Sequence, residues 1–294
     1  MSLDTRQGHL AMLLFSMLVA GSFALGVLAA NDITPLALNA VRFWIAAAVI
    51  GVAVWARGGL PRSALDAPWR YVLLAVVFTT YFVLMFEGLK TAPSVSAAAV
   101  FTLTPVMAAG FGWLLLRQRL SGRIGVGLAI GAVGAVWVIF RADVQALLRF
   151  EVGRGEMIYF VGCVSHALYT PLVRKLNRGE SALVFTFGTL VTGAVILTAV
   201  GWSDLRATDW ARLPSIVWIT ILYTAIFASA ATFTLLQFAA LRLPSSKVMA
   251  YTYLVPTWVI VWNVALGGAV PQVAVFGGIS LTVVALILLL REEG

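Results

Sequence analysis

The residues of this chain that could carry chemistry are polar and aromatic side chains inside long apolar runs. His166 lies near the middle of one such run, and Tyr169 follows three residues later on the same helical face. An imidazole in an apolar run can carry a proton or bind a substrate carboxylate, but it can equally be a neutral group that hydrogen-bonds a neighbouring helix. His166 and Tyr169 are therefore candidate substrate-binding residues, with helix packing as the open alternative for His166.

A second aromatic stripe surrounds Tyr81, because Phe78, Phe82 and Met85 recur around it at helical spacing. Such a stripe is more often helix packing than the wall of a ligand site. If the run crosses a membrane, however, the depth of Tyr81 favours binding, since a phenol at the midplane needs a partner whereas anchoring tyrosines lie at the interfaces. Tyr81 joins the candidate substrate-binding residues.

A further run places Ser94, Phe101 and Pro105 on one helical face, and Ser94 and Phe101 are candidate binding residues. Pro105, like Pro256 later in the chain, removes a backbone hydrogen bond and is expected to bend its helix. A carbonyl freed beside a cavity could also accept a hydrogen bond from a substrate ammonium. Bending is the favoured role, and it makes both prolines candidate hinges of a gate.

The remaining candidates lie within or at the ends of other apolar runs. Gln237 could bind a substrate or another helix, and Tyr251 belongs to an aromatic group whose members cannot all face one cavity. Glu87 and Lys90 lie one turn apart and are expected to pair as a gate or a structural bridge, whereas a lone buried Glu87 would be a candidate for proton coupling. Arg42 is expected to extend its guanidinium to the membrane surface.

The composition identifies the environment in which these residues act. The chain has 294 residues, of which 61% are hydrophobic and 11% charged, and its mean hydropathy is +0.98. Soluble domains are about 45–50% apolar and about 25% charged. This chain has too little charge to cover a soluble globule, and its long uncharged runs, such as residues 124–140, are typical of spanning α-helices and not of barrel strands. We predict an all-α integral membrane protein.

Ten apolar runs are long enough to cross a bilayer, which takes about 20 residues. They cover approximately residues 10–30, 34–56, 70–90, 94–116, 121–140, 156–174, 180–201, 214–240, 245–266 and 272–290. The short connections leave no room for a soluble catalytic, nucleotide-binding or DNA-binding domain, and no P-loop, GxSxG or HExxH pattern occurs. The single cysteine, Cys163, excludes an intrachain disulfide and a thiolate metal cluster. We predict neither an enzyme nor a metal or cofactor site.

The distribution of charge predicts the orientation in the membrane. The formal net charge of +8 lies mostly in short loops, so we attribute it to membrane insertion and not to nucleic-acid binding. Lys and Arg are more frequent in the loops that share a side with the N-terminus than in the opposite loops. This asymmetry predicts cytoplasmic termini. The expected location of this multi-pass protein is the inner membrane of a bacterium.

The two halves of the chain share a pattern. Pro93 and Pro105 have the same spacing as Pro244 and Pro256, and Gly127 recurs in the same register. Each half holds five predicted spans, an odd number, so the second half must enter the membrane upside down relative to the first. Inverted repeats of this kind are common in secondary transporters, where they surround a site at the midplane. The predicted units are a first repeat at residues 1–141, a connector at 142–154 and a second, inverted repeat at 155–294.

The stretch from Gly88 to Val138 resembles the EamA module of the drug/metabolite transporter superfamily. That module has an "ALKYTSAS" segment, a proline further along the helix, an "LLLGERL" exit, a glycine-rich next helix and an "LRF" start of its second helix. The matching residues are Gly88-Leu89-Lys90-Thr91-Ala92-Pro93-Ser94, Pro105, Leu114-Leu115-Leu116-Arg117-Gln118-Arg119-Leu120, the glycines Gly127, Gly131 and Gly134, and Ala40-Val41-Arg42-Phe43. The second half matches less well, through Ala240-Leu241-Arg242, Pro244 and Pro256. The glutamate of the "GER" motif is absent from both halves, at Arg117-Gln118-Arg119 and at Gly268-Ala269-Val270.

The resemblance implies a ten-helix exporter of small metabolites, lined mainly by helices 1, 3, 4, 6, 8 and 9. Within the superfamily, the aromatic-rich cavity helices are most similar to amino-acid exporters of the YddG type. We therefore expect export of small amphipathic metabolites, amino acids including aromatic ones, by alternating access. The expected partners are the small-molecule substrate and the lipid bilayer, with no nucleic acid, and the chain is expected to act as a monomer.

Two alternatives stay open. A sugar-phosphate or nucleotide-sugar exchanger of the same superfamily would need at least two Lys or Arg at the midplane, and the sequence places none there. A non-transporting scaffold or receptor would have no solvent-accessible cavity at the midplane.

Overall fold

The structure, a computed structural model, describes residues 3–118, 121–149 and 151–290, and within these ranges every regular element is a helix. The α-helices are α1 Leu3–Ala29, α2 Pro35–Ala56, α3 Trp69–Leu89, α4 Ser94–Phe101, α5 Thr104–Leu116, α6 Gly122–Ile139, α7 Val144–Leu148, α8 Arg154–Leu176, α9 Ala182–Val200, α10 Trp202–Ala207, α11 Ser215–Ala225, α12 Thr232–Ala240, α13 Ser245–Ala250, α14 Val255–Ala265 and α15 Val273–Leu290. Two short 3-10 helices, Arg62–Leu65 and Tyr251–Leu254, and a π-helical turn, Ile226–Ala231, are also described. Arg119 and Leu120 of the sequence motif, Phe150 of the connector and the two chain ends lie outside the described residues.

Nine helical segments of the described chain are long and apolar enough to cross a bilayer. Three of them are composite, because α4 and α5, α11 and α12, and α13 and α14 each form one segment. The sixth predicted span coincides with α8, which has 23 residues and reaches about 35 Å at about 1.5 Å per residue. It is not among the nine, because polar residues such as Glu156, Ser165 and His166 lower its hydropathy. The chain is a multi-pass membrane protein, and a tenth span at α8 stays a prediction.

Helix starts are marked by side-chain caps and by prolines. Thr34, Ser121 and Ser181 accept hydrogen bonds from backbone N–H groups in the first turns of α2, α6 and α9. Prolines precede α4, α11 and α13 in extended conformations, which are compatible with the residue before a helix. The predicted connector contains α7, none of whose residues is buried.

The two bending prolines interrupt their spans more sharply than predicted. Pro105 has no N–H to donate to the carbonyl of Phe101, so α4 ends at Phe101 and α5 begins at Thr104. Pro256 likewise cannot donate to the carbonyl of Thr252, and a 3-10 turn separates α13 from α14. The predicted bends are therefore short interruptions of the helix, and they occur beside the predicted prolines.

The two broken helices run in opposite directions and cross at their breaks. The first half of each packs against the second half of the other, α4 against α14 and α13 against α5. At one end, Asn263 Nδ2 donates to Ser94 Oγ at 2.9 Å, and at the other the backbone N–H of Ser245 donates to Gln118 Oε1 at 3.2 Å. We call these ends of the pair the Ser94 end and the Ser245 end.

Glycines allow close approach between the outer helices. α6 packs along α15, where a Cβ on Gly134 would lie 2.6 Å from the carbonyl oxygen of Gly278. Gly131, one of the glycines of the sequence motif, lies against the ring of Tyr253. The glycine-rich pattern of α6 therefore serves contacts inside the bundle.

A buried ion pair fixes the beginning of α3. Arg70 Nη2 lies 2.6 Å from Glu180 Oε1, and both side chains are almost inaccessible, at 1% and 3% exposed. The same guanidinium donates to the carbonyl oxygen of Leu176 at 2.7 Å. Burial alone would raise the pKa of the Glu180 carboxyl, but hydrogen bonds from Arg70 and from the backbone N–H of Arg178 outweigh burial and hold this pKa below its ordinary value. The pair ties α3 to the loop between α8 and α9.

Candidate functional site

Ten buried rings in mutual contact form what we call the aromatic cluster. They come from α1, α2, α3, α4, α8 and α12, and each is at most 2% exposed. The members are Phe23, Phe43, Phe78, Tyr81, Phe82, Phe101, Tyr159, His166, Tyr169 and Phe233. Four predicted binding residues, Tyr81, Phe101, His166 and Tyr169, therefore meet in one place although they lie on three helices.

His166 is enclosed by rings from α3 and α4. Its ring centroid lies 4.4 Å from that of Tyr81, 5.1 Å from that of Phe101 and 5.3 Å from that of Phe78. Nδ1 of His166 is buried and has no hydrogen-bond partner among the residues that the structure describes. A buried polar atom without a partner costs about 1–3 kcal/mol, so a ligand that bonds this nitrogen would recover that energy.

Three tyrosine hydroxyls of the cluster and the side-chain amide of Gln237 supply further polar groups. The hydroxyls of Tyr81 and Tyr159 lie 3.1 Å apart, within hydrogen-bond distance. Gln237 Nε2 donates to the hydroxyl of Tyr169 at 2.8 Å, whereas Gln237 Oε1 is buried and has no partner in the described part of the chain. An apolar enclosure with a few polar atoms, two of them unpartnered at His166 and Gln237, is the combination typical of a small-molecule site.

Two predicted binding residues, Ser94 and Tyr251, are not members of the cluster. Ser94 bonds to Asn263 at the Ser94 end of the helix pair. The hydroxyl of Tyr251 lies 3.0 Å from Nδ1 of His9, and the two ring centroids are 5.9 Å apart. Both residues therefore make contacts between helices, and their predicted role in binding stays a prediction.

Glu87 and Lys90 form the ion pair that their spacing predicts. Lys90 Nζ lies 2.6 Å from Glu87 Oε2, and the two side chains are 31% and 40% exposed for Lys90 and Glu87 respectively. An exposed pair of this kind contributes only about 0–1 kcal/mol to stability, so it can open at little cost. The role of the pair in gating stays a prediction.

The two helix breaks face each other through side-chain hydroxyls. The carbonyl of Phe101, which Pro105 leaves without its helical donor, accepts a hydrogen bond from Thr104 Oγ1 at 2.7 Å. Thr104 Oγ1 in turn lies 3.2 Å from Thr252 Oγ1 at the second break. Both Pro105 and Pro256 are buried. The geometry is compatible with the predicted hinges, and it leaves the freed carbonyl with a partner inside the protein.

The prediction that Arg42 extends to the membrane surface is wrong. Its side chain is fully buried, and its guanidinium carbon lies 3.8 Å from the ring centroid of Phe82, a member of the aromatic cluster. Acceptors on Asn39, Ala228 and Ser229 hold it there, and Ser229 follows Arg42 by 187 residues. Sequence reasoning missed this environment because the acceptors come from a distant helix. The available signal was a cation several residues inside an apolar run.

The cluster is closed in this structure. Its side chains are at most 2% exposed, so the rings must separate before a substrate can enter. Sequence reasoning did not identify four of the members, since apolar runs do not reveal which face meets which neighbour. The four are Phe23, Phe43, Tyr159 and Phe233. In the described ranges, no group of three or more His, Cys, Asp and Glu side chains could hold a metal ion.

Comparison with known proteins connects this fold to a family. The model of the EamA-like transporter family matches residues 6–140 and 153–291. The uncharacterized transporter YyaM of Bacillus subtilis is 25% identical over 273 residues, which cover 92% of this chain and 90% of that protein. An uncharacterized transporter of Archaeoglobus fulgidus is 22% identical over 256 residues, covering 86% and 87%. A protein of known crystal structure, 23% identical, superposes with a TM-score of 0.73 over 99% of both chains, which shows a shared fold.

Proposed function

The chain belongs to the EamA-like transporter family, and from this membership we propose that it is a secondary exporter of small amphipathic metabolites. The proposed substrates are amino acids, including those with aromatic side chains, which leave the cytoplasm through the inner membrane of a bacterium. The observation that carries the proposal is the aromatic cluster. Its rings suit an apolar side chain, and its unpartnered atoms on His166 and Gln237 suit polar groups at the other end of the substrate.

Each part of the cluster has a proposed role in binding. Phe101 and Tyr169 supply apolar walls for the substrate side chain. Gln237 Oε1 accepts a hydrogen bond, which suits a substrate ammonium, and Nδ1 of His166 can donate or accept according to its tautomer. The hydroxyl of Tyr81, held by Tyr159, is the further polar contact. Together these groups favour a substrate with one apolar and one polar end.

The proposed mechanism is alternating access between two inverted five-helix halves, residues 1–141 and 155–294, with α8 as the sixth of ten spans. The antiparallel crossing of the broken helices supports this arrangement, because each half contributes one of them and the hydrogen bonds at the two ends are matched. Pro105 and Pro256 are the proposed hinges. The closed cluster then corresponds to an occluded form, with the contacts at both ends intact.

The orientation and assembly are part of the same proposal. Both termini lie in the cytoplasm, so the Ser94 end faces outward and the Ser245 end faces inward. The Glu87–Lys90 pair lies at the end of α3, beside the outward end, where it is the proposed gate. The chain acts as a monomer within the bilayer.

A second candidate function, exchange of anionic metabolites, is favoured by the burial of Arg42 beside the cluster. One guanidinium balances one negative charge, whereas a sugar phosphate carries about two at neutral pH and is better bound by two cations. Among the described residues, no second cation is seen stacking on a ring of the cluster. Amino-acid export therefore stays the preferred proposal.

The test is uptake into proteoliposomes that contain the purified chain, with and without a pH gradient. The panel contains L-phenylalanine, L-leucine, L-lysine and glucose 6-phosphate. We expect saturable uptake of L-phenylalanine, faster than into protein-free liposomes, and an effect of the gradient would identify proton coupling. Uptake of glucose 6-phosphate alone would favour the exchanger. If no member of the panel enters faster than into empty liposomes, the transport proposal is contradicted and a scaffold becomes the better explanation.

A further inference from the structure

Arg42 is a cation in the interior of a membrane protein. It is the eighth residue of α2, about 10 Å from the start of that helix at about 1.5 Å per residue, and its side chain is 0% exposed. A charged side chain at such depth is expensive to bury unless it is paired, and intramembrane charges usually mark a substrate pathway. The question is therefore which groups stabilise the buried charge of Arg42.

The described partners of Arg42 are all neutral. Its Nε donates to Ser229 Oγ at 2.7 Å, one Nη to the carbonyl oxygen of Ala228 at 2.7 Å and the other to Asn39 Oδ1 at 3.3 Å. No ion pair between Arg42 and a carboxylate is found among the residues that the structure covers. A guanidinium has five N–H groups, so two N–H groups have no partner in the described ranges. The ring of Phe82 contacts the cation, but no carboxylate there balances its charge.

Two of these partners lie in an irregular part of the eighth predicted span. Ile226–Ala231 forms a π-helical turn between α11 and α12, and it contains Ala228 and Ser229. Its sequence, IFASAA, holds neither proline nor glycine that would force the irregularity. Isolated π turns occur frequently at functional sites, where they redirect backbone groups. The turn and the buried cation therefore form one feature, with the turn supplying the acceptors for the cation.

This feature is continuous with the aromatic cluster. The guanidinium lies over Phe82, whose ring centroid is 4.6 Å from that of Tyr81 and 5.0 Å from that of Phe78. Gln237, with its unpartnered acceptor, follows Ser229 by about two turns of the same segment. The guanidinium of Arg42, the rings of the aromatic cluster and the unpartnered oxygen of Gln237 therefore belong to one buried region.

We propose that Arg42 is the site that binds the carboxylate of the substrate, an inference that rests on the proposed export function. When the cluster opens, the two spare N–H groups of the guanidinium donate hydrogen bonds to the two oxygens of one carboxylate. One negative charge then neutralises the one buried positive charge. The site therefore selects monoanionic carboxylates that carry an apolar body over neutral analogues and over dianions such as phosphate monoesters.

The alternative role for Arg42 is a purely structural clamp on the π turn, and the experiment separates the two. The full-length chain in detergent micelles is titrated with 3-phenylpropanoate, with its neutral analogue 3-phenylpropanamide and with phenyl phosphate, and the rise in melting temperature reports binding. The variants are Arg42→Gln, Ser229→Ala and, as the matched control, Arg57→Gln, which makes the same substitution at an exposed position just after α2.

The quantity compared is the ratio of the affinities for the three ligands, and not the stability of each variant. The unmodified chain and Arg57→Gln bind the carboxylate more tightly than the amide or the phosphate. Arg42→Gln weakens carboxylate binding about tenfold or more and leaves amide binding within about twofold, because only the charged contact is lost. Ser229→Ala removes an acceptor of the closed form but keeps the cation, so its preference for the carboxylate is retained.

Three results would overturn the inference. The first would be equal binding of carboxylate and amide by the unmodified chain. The second would be an equal loss of affinity for both ligands in Arg42→Gln. The third would be loss of the carboxylate preference in Ser229→Ala, which a clamp role requires. The Ser229→Ala comparison also decides the question if Arg42→Gln does not fold. Failure of the export proposal looks different, because carboxylate binding through Arg42 would persist while proteoliposomes show no uptake. Conversely, equal uptake of L-phenylalanine and L-phenylalaninamide contradicts the carboxylate site and leaves transport intact.

Discussion

The two proline breaks share a backbone geometry but differ in their chemical surroundings. At the first break, Phe101 is fully buried in the aromatic cluster and its ring contacts His166. At the second break, Tyr251 contacts His9, and the hydroxyl of Tyr253 approaches a carbonyl oxygen of α6 at 3.5 Å. One break therefore borders the cluster, and the other borders α1 and α6.

This difference distinguishes the backbone hinges, which allow movement, from the side chains that bind substrate. Proline acts on the backbone alone, so equal spacing of prolines produces equal breaks whatever the neighbouring side chains are. Recognition depends on side chains, and these differ between the halves. A transporter of this kind can keep a symmetric hinge while its binding site is asymmetric. Substitutions that change the hinges or the binding site separately test this distinction.

The largest effect is expected at His166 beside the first break, and His9 beside the second break is its matched control. We predict that His166→Ala lowers L-phenylalanine uptake by roughly tenfold or more, because loss of a polar contact in a buried site removes about 1–3 kcal/mol of binding energy. His9→Ala, the matched substitution beside the second break, is expected to leave uptake within about twofold since His9 lies outside the cluster. Initial rates in proteoliposomes provide the measurement. Equal losses in the two variants would show that both breaks bind substrate.

Pro105→Ala and Pro256→Ala are expected to have the next largest effect, and to have it equally. Each substitution restores one backbone N–H, which can donate to the carbonyl of Phe101 or of Thr252 and straighten the helix. One additional hydrogen bond contributes about 1 kcal/mol, which corresponds to a slowing of transport by roughly fivefold. Uptake rates of both variants, at matched amounts of reconstituted protein, check this expectation. A large effect in one variant alone would contradict the symmetry of the hinge.

A smaller effect is expected from the hydrogen bonds at the two ends of the crossing helices. Ser94→Ala removes the contact with Asn263, whereas Gln118→Ala removes the contact with Ser245. Each loss of about 1 kcal/mol favours opening at that end and changes uptake by no more than a few fold. The readout is the single cysteine, Cys163, which is buried in the closed form. A membrane-impermeant maleimide should reach it faster from opposite sides of the membrane in the two variants.

Labelling from the same side in both variants would mean that the ends of the crossing helices do not act as opposite gates. A double variant, Ser94→Ala with Gln118→Ala, provides the control, because it should become accessible from both sides.

The smallest effect on uptake is expected at the Arg70–Glu180 pair, which touches neither break. The pKa of Glu180 is held below its ordinary value, so the pair contributes stability above the unfolded pKa of about 4.3 and loses it as pH falls through the lower folded pKa. Glu180→Gln should lower the melting temperature at neutral pH and remove this part of the acid sensitivity, with uptake of L-phenylalanine nearly unchanged. Melting curves from pH 7 to pH 3 test this. A melting profile identical to that of the unmodified chain would show that the pair is not stabilising.

Much of the cluster could be predicted from the sequence. Tyr81, Phe101, His166 and Tyr169 stand out because polar or aromatic groups at the middle of an apolar run are unusual, and the structure brings all four together. The positions of the helix breaks were likewise visible in the paired prolines. These signals are local, since each depends only on residue type and position within one run.

The features that sequence reasoning missed depend on contacts between distant segments. Arg42 looked like a surface anchor because its acceptors on Ala228 and Ser229 belong to a helix far along the chain. The π turn that carries them contains no residue that signals a break. Tyr251 shares an aromatic segment with its neighbours, and only packing against α1 decides that it faces His9.

The most direct test of the central claim, that the aromatic cluster holds the substrate, is equilibrium binding of radiolabelled L-phenylalanine to matched truncations beside the two breaks. Phe101 and Tyr253 are both fully buried, so Phe101→Ala and Tyr253→Ala should each destabilise the fold by about 3–5 kcal/mol. We predict that Phe101→Ala weakens binding by roughly tenfold or more while Tyr253→Ala binds within about twofold of the unmodified chain. Equal binding by both variants, or a selective loss in Tyr253→Ala, would contradict the account.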